Sequence, residues 1–552
     1  MLNIEVAGLH QAAYLLGFFA ICSQVLALVR DRILAGQFGA GDTLDFYYSA
    51  FRIPDILFVS VASVVSISVL IPFLIERFEK SEDLAKEFID TVFSFFFCLM
   101  IVVGVAAFIA TPYLMEVLFP VFADSPRFGD LILLSRILLL SPIFLGFSNL
   151  LASITQIHRR FLVYAISPVV YNVGIIIGIV FLYPLFGLPG LGLGVGLGAF
   201  FHFVIQVPFI VSQGMFPRFS FSIKWSSIKT IILISLPRTI TVSSNEIAKL
   251  FLISFASFFV SGSIAVFNFS MNLQSVPFSI IGVSYSLAAF PSLTRLFSSG
   301  EKDKFLEQMI ISARHIIFWS VPVTVLFIVL RAQIVRTILG AGKFNWDDTR
   351  LTAAALALFV VSLVAQNLVA LFVRAYYSQG KTKTPLVMNV LSAVLIVVSS
   401  FFLVRLFENN EFFRNFMEAM LKVSDIPGTS VLMLPLGFSI GVVVNMVIHW
   451  VGFGREFKTF SPAVFRTFFE VFSASIIMGL VTYQCLNIFD NIFDINTLYG
   501  IFLQGFLSGI IGIIVAIVVL FVLGSKELEE AVDTFKKKIW KAKIVVPDAE
   551  LQ

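Results

Sequence analysis

The sequence has 552 residues, of which 58% are apolar and only 13% charged, about half the charged share of an ordinary soluble domain. A chain of this length cannot bury so much apolar surface in soluble cores, so much of it must face lipid. The net charge of +4, from 38 basic and 34 acidic residues, is too small an excess for a nucleic-acid binder, and no nucleic acid is expected as a partner.

The chain opens MLNIEVAGLHQAAYLLGFF, with no basic stretch before the apolar run and no small-residue cleavage site. No cleaved signal peptide is therefore expected, and this segment is read as the first helix. Hydropathy over about 19 residues places spans near 9–36, 46–75, 88–117, 129–156, 161–184, 188–212, 228–258, 264–295, 312–338, 351–377, 384–407, 430–452, 464–488 and 497–523. The expected fold class is an all-α polytopic membrane protein of about fourteen transmembrane helices. Cys22, Cys98 and Cys485 all fall inside apolar runs without metal-ligand or disulfide spacing, and are read as inert.

Basic residues orient the spans. The connections after every second span carry Arg77, Lys80 and Lys86, then Arg159 and Arg160, Arg218, Lys224 and Lys229, Lys302 and Lys304, Lys381 and Lys383, and Arg455 and Lys458. Those after spans five, seven and thirteen carry none, and Lys536, Lys537, Lys538, Lys541 and Lys543 follow the last span. The positive-inside rule then places both termini in the cytoplasm.

Prolines reveal an internal repeat. Pro72 and Pro168 are 96 residues apart, and Pro291 and Pro385 are 94 apart. Pro168 and Pro385 each have an asparagine one helical turn on, Asn172 and Asn389. The halves then reach glycine-rich helices, GLPGLGLGVGLG at 187–198 and LPLGFSIG at 434–441. The expected layout is two parallel-repeat six-helix lobes, 1–225 and 226–458, two additional helices at 459–525, and a basic cytoplasmic tail at 526–552.

Each charge inside a span costs about 2.5–3.5 kcal/mol on insertion scales and needs an account. The densest cluster is Arg30, Asp31, Arg32, Asp45, Arg52 and Asp55. On one reading Arg30 and Arg52 pair with Asp31, Asp45 or Asp55 and fix the helices; on the other they line an aqueous cavity and bind an anion through their planar forks. Asp45 and Arg52, seven residues apart, would share a face. In the seventh span Pro237 permits a kink, followed by Arg238, Glu246 and Lys249. Glu246 and Lys249 either neutralise one another or supply an ion-coupling carboxylate. The 64 phenylalanines are read mainly as lipid-facing bulk. The scattered histidines, the missing P-loop and the lack of an HExxH exclude an obvious enzyme site; no cofactor or metal is expected, and the glycine series reads as close helix packing.

The segment VLALVRDRILAGQFGAGDTLDFYYSAFRIPDIL resembles the opening of the MurJ/MviN lipid II flippases of the MOP exporter superfamily. Arg30-Asp31, FGAG at 38–41, Asp45, and the basic residue with Ile-Pro at 52–54 carry the likeness; ASFFVSGS at 256–263, FPSL at 290–293 and YSQGKTKTP at 377–385 extend it. The resemblance implies two six-helix lobes around a cationic cavity, with the last two helices forming a groove for an undecaprenyl tail. It also implies alternating access that moves lipid II from the inner to the outer leaflet of the bacterial cytoplasmic membrane. The expected partners are lipid II or a related undecaprenyl-diphosphate glycan, membrane lipids, and the peptidoglycan-synthesis machinery. Family arginines are missing at several positions, where this chain has Gln24, Phe58 and Val59, and Asn272. Arg32, Arg52, Arg238 and Lys249 are the basic residues expected to compensate, with Arg30, Arg52 and Arg238 meeting in one cavity and Asp45 orienting one of them. The alternatives left open are export of another polyprenyl-linked glycan, drug/cation antiport, and a non-transporting cell-wall scaffold.

Overall fold

Pro54 shapes the first helical hairpin. It has no N–H, so the Ala50 carbonyl loses its helical partner and the chain breaks at Phe51. In the computed structural model, which describes residues 9–61, 67–158, 160–221 and 223–540, a long helix α1 (Leu9–Phe38) therefore leads into two short ones, α2 (Asp42–Ala50) and α3 (Arg52–Ser60). The single span expected at 46–75 is corrected accordingly, and residues 62–66, Arg159 and the tail from 541 lie outside the described residues.

No strand occurs among the described residues. Ten helices there are long and apolar enough to cross a membrane, and Trp346–Val360 with Leu363–Ser378, bent by 41°, makes an eleventh if taken as one span. The ten do not include α1 or the later helix Trp225–Ala256, single helices of 30 and 32 residues at the expected spans 9–36 and 228–258.

The glycine series packs as expected. Helix α4 (Phe161–Ile177), continued by a π-helical turn Gly178–Leu182, lies against α5 (Leu188–Val204). A methyl group at Gly174 or Gly178 would fall on the backbone of Gly198 or Gly194, so the two helices meet main chain to main chain. Further along the chain come α6 (Trp225–Ala256) and α7 (Ser263–Pro277). Pro277 removes a helical donor, and the π-helical turn Phe278–Val283 follows it directly.

The span expected at 312–338 is also corrected. The helix runs Lys302–Val329, because its first turns are amphipathic: Phe305 and Met309 are buried while Lys304 is exposed, a pattern that averages out in a hydropathy window. A separate short helix, α8 (Arg331–Leu339), follows. Helix α9 (Lys383–Asn409) then leads to Glu411–Leu421, a helix the hydropathy reading passed over. Asn410 starts it by accepting from the Phe413 N–H at 2.9 Å.

The chain forms two compact units, Met1–Val276 with Val335–Phe359 and Lys381–Asn445, and Pro277–Ile334 with Val360–Gly380 and Met446–Gln552. In the second, Phe305, Phe372, Phe453 and Phe460 are fully buried, with Phe453 and Phe460 rings 5.0 Å apart, so part of the phenylalanine is core rather than lipid-facing bulk. The same unit holds its C-terminal helix Lys526–Trp540 through Glu527, which meets Arg314 at 2.5 Å and accepts from Thr467 at 3.0 Å.

Candidate functional site

Within the first unit, α1, α2, α3, α4, α6 and α7 surround a cavity of about 210 Å³. Its charged lining is Arg30 and Asp31 from α1, Arg52 and Asp55 from α3, and Glu246 and Lys249 from α6. Six of the nine charged residues singled out in the sequence, Arg30, Asp31, Arg52, Asp55, Glu246 and Lys249, therefore meet in one place.

Each base has an acidic neighbour. Arg30 donates from Nε and Nη2 to Asp31 Oδ1 at 2.9 and 2.8 Å, and from Nη1 to Asn172 Oδ1 at 3.1 Å. Arg52 Nη2 lies 3.2 Å from Asp55 Oδ2 while its Nε donates to the Tyr48 carbonyl at 3.1 Å. Lys249 Nζ meets Glu246 Oε1 at 2.8 Å, one helical turn apart. Asn272, standing where the family carries an arginine, donates to Asp31 Oδ2 at 3.0 Å. Three bases and three acids among the described lining residues balance, so this lining is neutral rather than the cationic one the resemblance implies. The arginines are paired, as the first reading expects, and they also line the cavity.

Arg32 is placed elsewhere. It donates to the carbonyls of Thr337 at 2.7 Å and Ile338 at 3.2 Å, closing the C-terminus of α8. Two residues along a helix is about 200° of rotation, so Arg30 and Arg32 point to different sides of α1.

Asp45 is also placed elsewhere. Its carboxylate accepts from the backbone N–H groups of Gly262 at 2.6 Å and Ala265 at 2.9 Å, capping α7, and it is not in the cavity lining. The shared face expected for Asp45 and Arg52 presumed one continuous helix, and the break at Phe51 removes it. Gly262 has φ +92, and a methyl group there would strike the Ala40 carbonyl, so only glycine brings this N–H to Asp45. Asp45→Ala is expected to lower stability by about 1–2 kcal/mol, read as a fall in melting temperature in detergent, with Asp45→Asn intermediate. Lost transport at unchanged stability would instead return Asp45 to the binding site. The side chain of Arg238 lies outside the described residues.

Sequence reasoning missed the tyrosines. Tyr47, Tyr48 and Tyr171 line the cavity, and the Tyr48 O–H is buried without a hydrogen-bond partner. Nothing in a hydropathy pattern separates such a tyrosine from lipid-facing aromatic bulk. Asn172 was signalled by its place one turn after Pro168, and its Nδ2 returns to the Pro168 carbonyl at 3.1 Å.

A family model described as "Lipid II flippase MurJ" matches residues 34–504. The lipid II flippase MurJ of Burkholderia cenocepacia is 22% identical over 494 residues, covering 88% of this chain and 91% of that protein. The probable lipid II flippase MurJ of Haemophilus influenzae is 27% identical over 393 residues, covering 68% and 77%. Among solved structures, a lipid II flippase MurJ in an inward closed conformation superposes with a TM-score of 0.72 at 20% identity, over 94% of this chain and all of that one. An inward-facing multidrug MATE transporter of the MOP superfamily gives 0.61 at 17% identity, over 80% and 95%. These likenesses give the fold, and with the apolar helices they make the chain a multi-pass membrane protein. With its family model running across most of the sequence, the chain belongs to the MurJ family of lipid II flippases.

Proposed function

We propose that this protein carries lipid II, an undecaprenyl-diphosphate-linked peptidoglycan precursor, from the inner to the outer leaflet by alternating access, without chemistry on the substrate. The observation that carries this reading is the cavity in a MurJ-family chain where Arg30, Arg52 and Lys249 converge. Arginine forks and an ammonium suit the two phosphates of such a headgroup. Transport then requires only that the substrate stabilise the inward- and outward-open states differently.

The finer layout belongs to the same proposal: about fourteen spans in two parallel six-helix repeats, 1–225 and 226–458, with helices at 459–525 lining a groove for the polyprenyl tail. The protein sits in the bacterial cytoplasmic membrane with both termini inside and works beside the peptidoglycan-synthesis machinery. The alternation of basic connections supports this orientation. A cysteine replacing Lys381 should be labelled by an impermeant thiol reagent only from the cytoplasmic side, and one replacing Asn409 only from outside, in a variant lacking the three native cysteines. The reverse pattern overturns the topology. Depletion in the source cell, with the sidedness of lipid II as readout, tests the function itself: the lipid should accumulate in the inner leaflet.

A further inference from the structure

The charge balance of the cavity sets a condition on what enters it. A diphosphate brings at least two negative charges, and the described lining offers three bases already matched by Asp31, Asp55 and Glu246. In a site of low dielectric an uncompensated charge is strongly disfavoured, so a bare diphosphate would leave the occupied cavity net negative.

We propose that the headgroup diphosphate enters this cavity as a magnesium complex, its oxygens taken by Arg30, Arg52 and Lys249 and its metal by Asp55 and Glu246. This rests on the lipid II reading and adds a cation to it. Magnesium is ordinarily held by one or two carboxylates together with substrate phosphates and waters, not by an all-protein cage. The lining offers two such carboxylates in Asp55 and Glu246. The metal also gives the acids a use that arginine pairing alone does not: Asp55 and Glu246 reach the cavity from two different helices, α3 and α6. Tyr48 supplies a separate sign that the cavity awaits a ligand. It is 7% exposed, lines the cavity, and its O–H has no partner, so it stands ready to donate to a phosphate oxygen or a metal-bound water.

The test uses the full chain in lipid nanodiscs and farnesyl diphosphate as the probe, with binding measured in magnesium and in chelator. Magnesium should tighten binding about tenfold or more. Glu246→Gln and Asp55→Asn should each lose most of that dependence while binding the metal-free diphosphate more tightly than the parent, because each removes one negative charge from the lining. Two separate variants, each checked for monodisperse elution, guard against a folding defect in either. Equal binding with and without magnesium, a magnesium effect that survives both variants, or tightening by lowered pH in its place overturns the metal. No binding of the diphosphate under any condition overturns the lipid II reading itself.

Discussion

Replacing Arg30 with alanine should abolish complementation in cells depleted of their own lipid II flippase, while the protein still inserts and accumulates to parental level. Arg30 is the centre of the cavity's hydrogen-bond network: two of its nitrogens hold Asp31 and the third holds Asn172. Truncation removes the fork and leaves Asp31, 3% exposed, with only the Asn272 amide among these partners. Each hydrogen bond from the fork to a phosphate oxygen is worth about 1.5–3 kcal/mol, so loss of the two in a bidentate contact predicts a fall in transport of about 100-fold or more. Arg30→Lys should be intermediate, since an ammonium keeps the charge but cannot bridge Asp31, Asn172 and a phosphate at once. Full complementation by Arg30→Ala, at matched expression, would remove the anion site from its proposed centre.

Gly194→Ala should cost most of the folded protein. A methyl group at that position would overlap the Gly178 backbone, and neither helix has a side chain there that can move aside. Separating α4 from α5 far enough to admit it is expected to cost about 3 kcal/mol, read as a lowered melting temperature and a loss of the monodisperse peak on fluorescence-detected size exclusion. Gly196→Ala is the internal control. A methyl group there has no atom within 4 Å, and alanine favours the helix by about 1 kcal/mol, so that variant should match or exceed the parent. If both changes are equally harmless, the helices are not in main-chain contact at Gly194.

Much of this molecule was legible before its folding was known, but in different ways for different residues. The glycine seam followed from spacing alone, because a glycine-rich apolar helix has close packing as its main use in a membrane. Arg30 stood out through the cost of a charge inside an apolar run together with the motif around it. Lys249 and Glu246 were legible as a pair, and their meeting with Arg52 and Asp55 in one cavity was not, since α3 and α6 lie far apart in sequence. The neutral lining could not be foreseen either, because the missing family arginine at Asn272 matters only once Asn272 is seen to hold Asp31.

The sequence by itself determined that the chain is built of apolar helices fit for a membrane, where close packing is required, and which family the chain resembles. These depend on local composition and periodicity, which partitioning into lipid reads directly. Tertiary structure alone decided which charges share a site. Arg30, Arg32 and Asp45 look equivalent as polar residues near one helix hairpin, yet they go to Asn172, Thr337 and Gly262, partners 142, 305 and 217 residues away. A 200° turn separates Arg30 from Arg32, and the break before Pro54 separates Asp45 from Arg52. In a low-dielectric interior a charged side chain must find a partner wherever the fold provides one, so its role is fixed by geometry between distant segments and not by its neighbours along the chain.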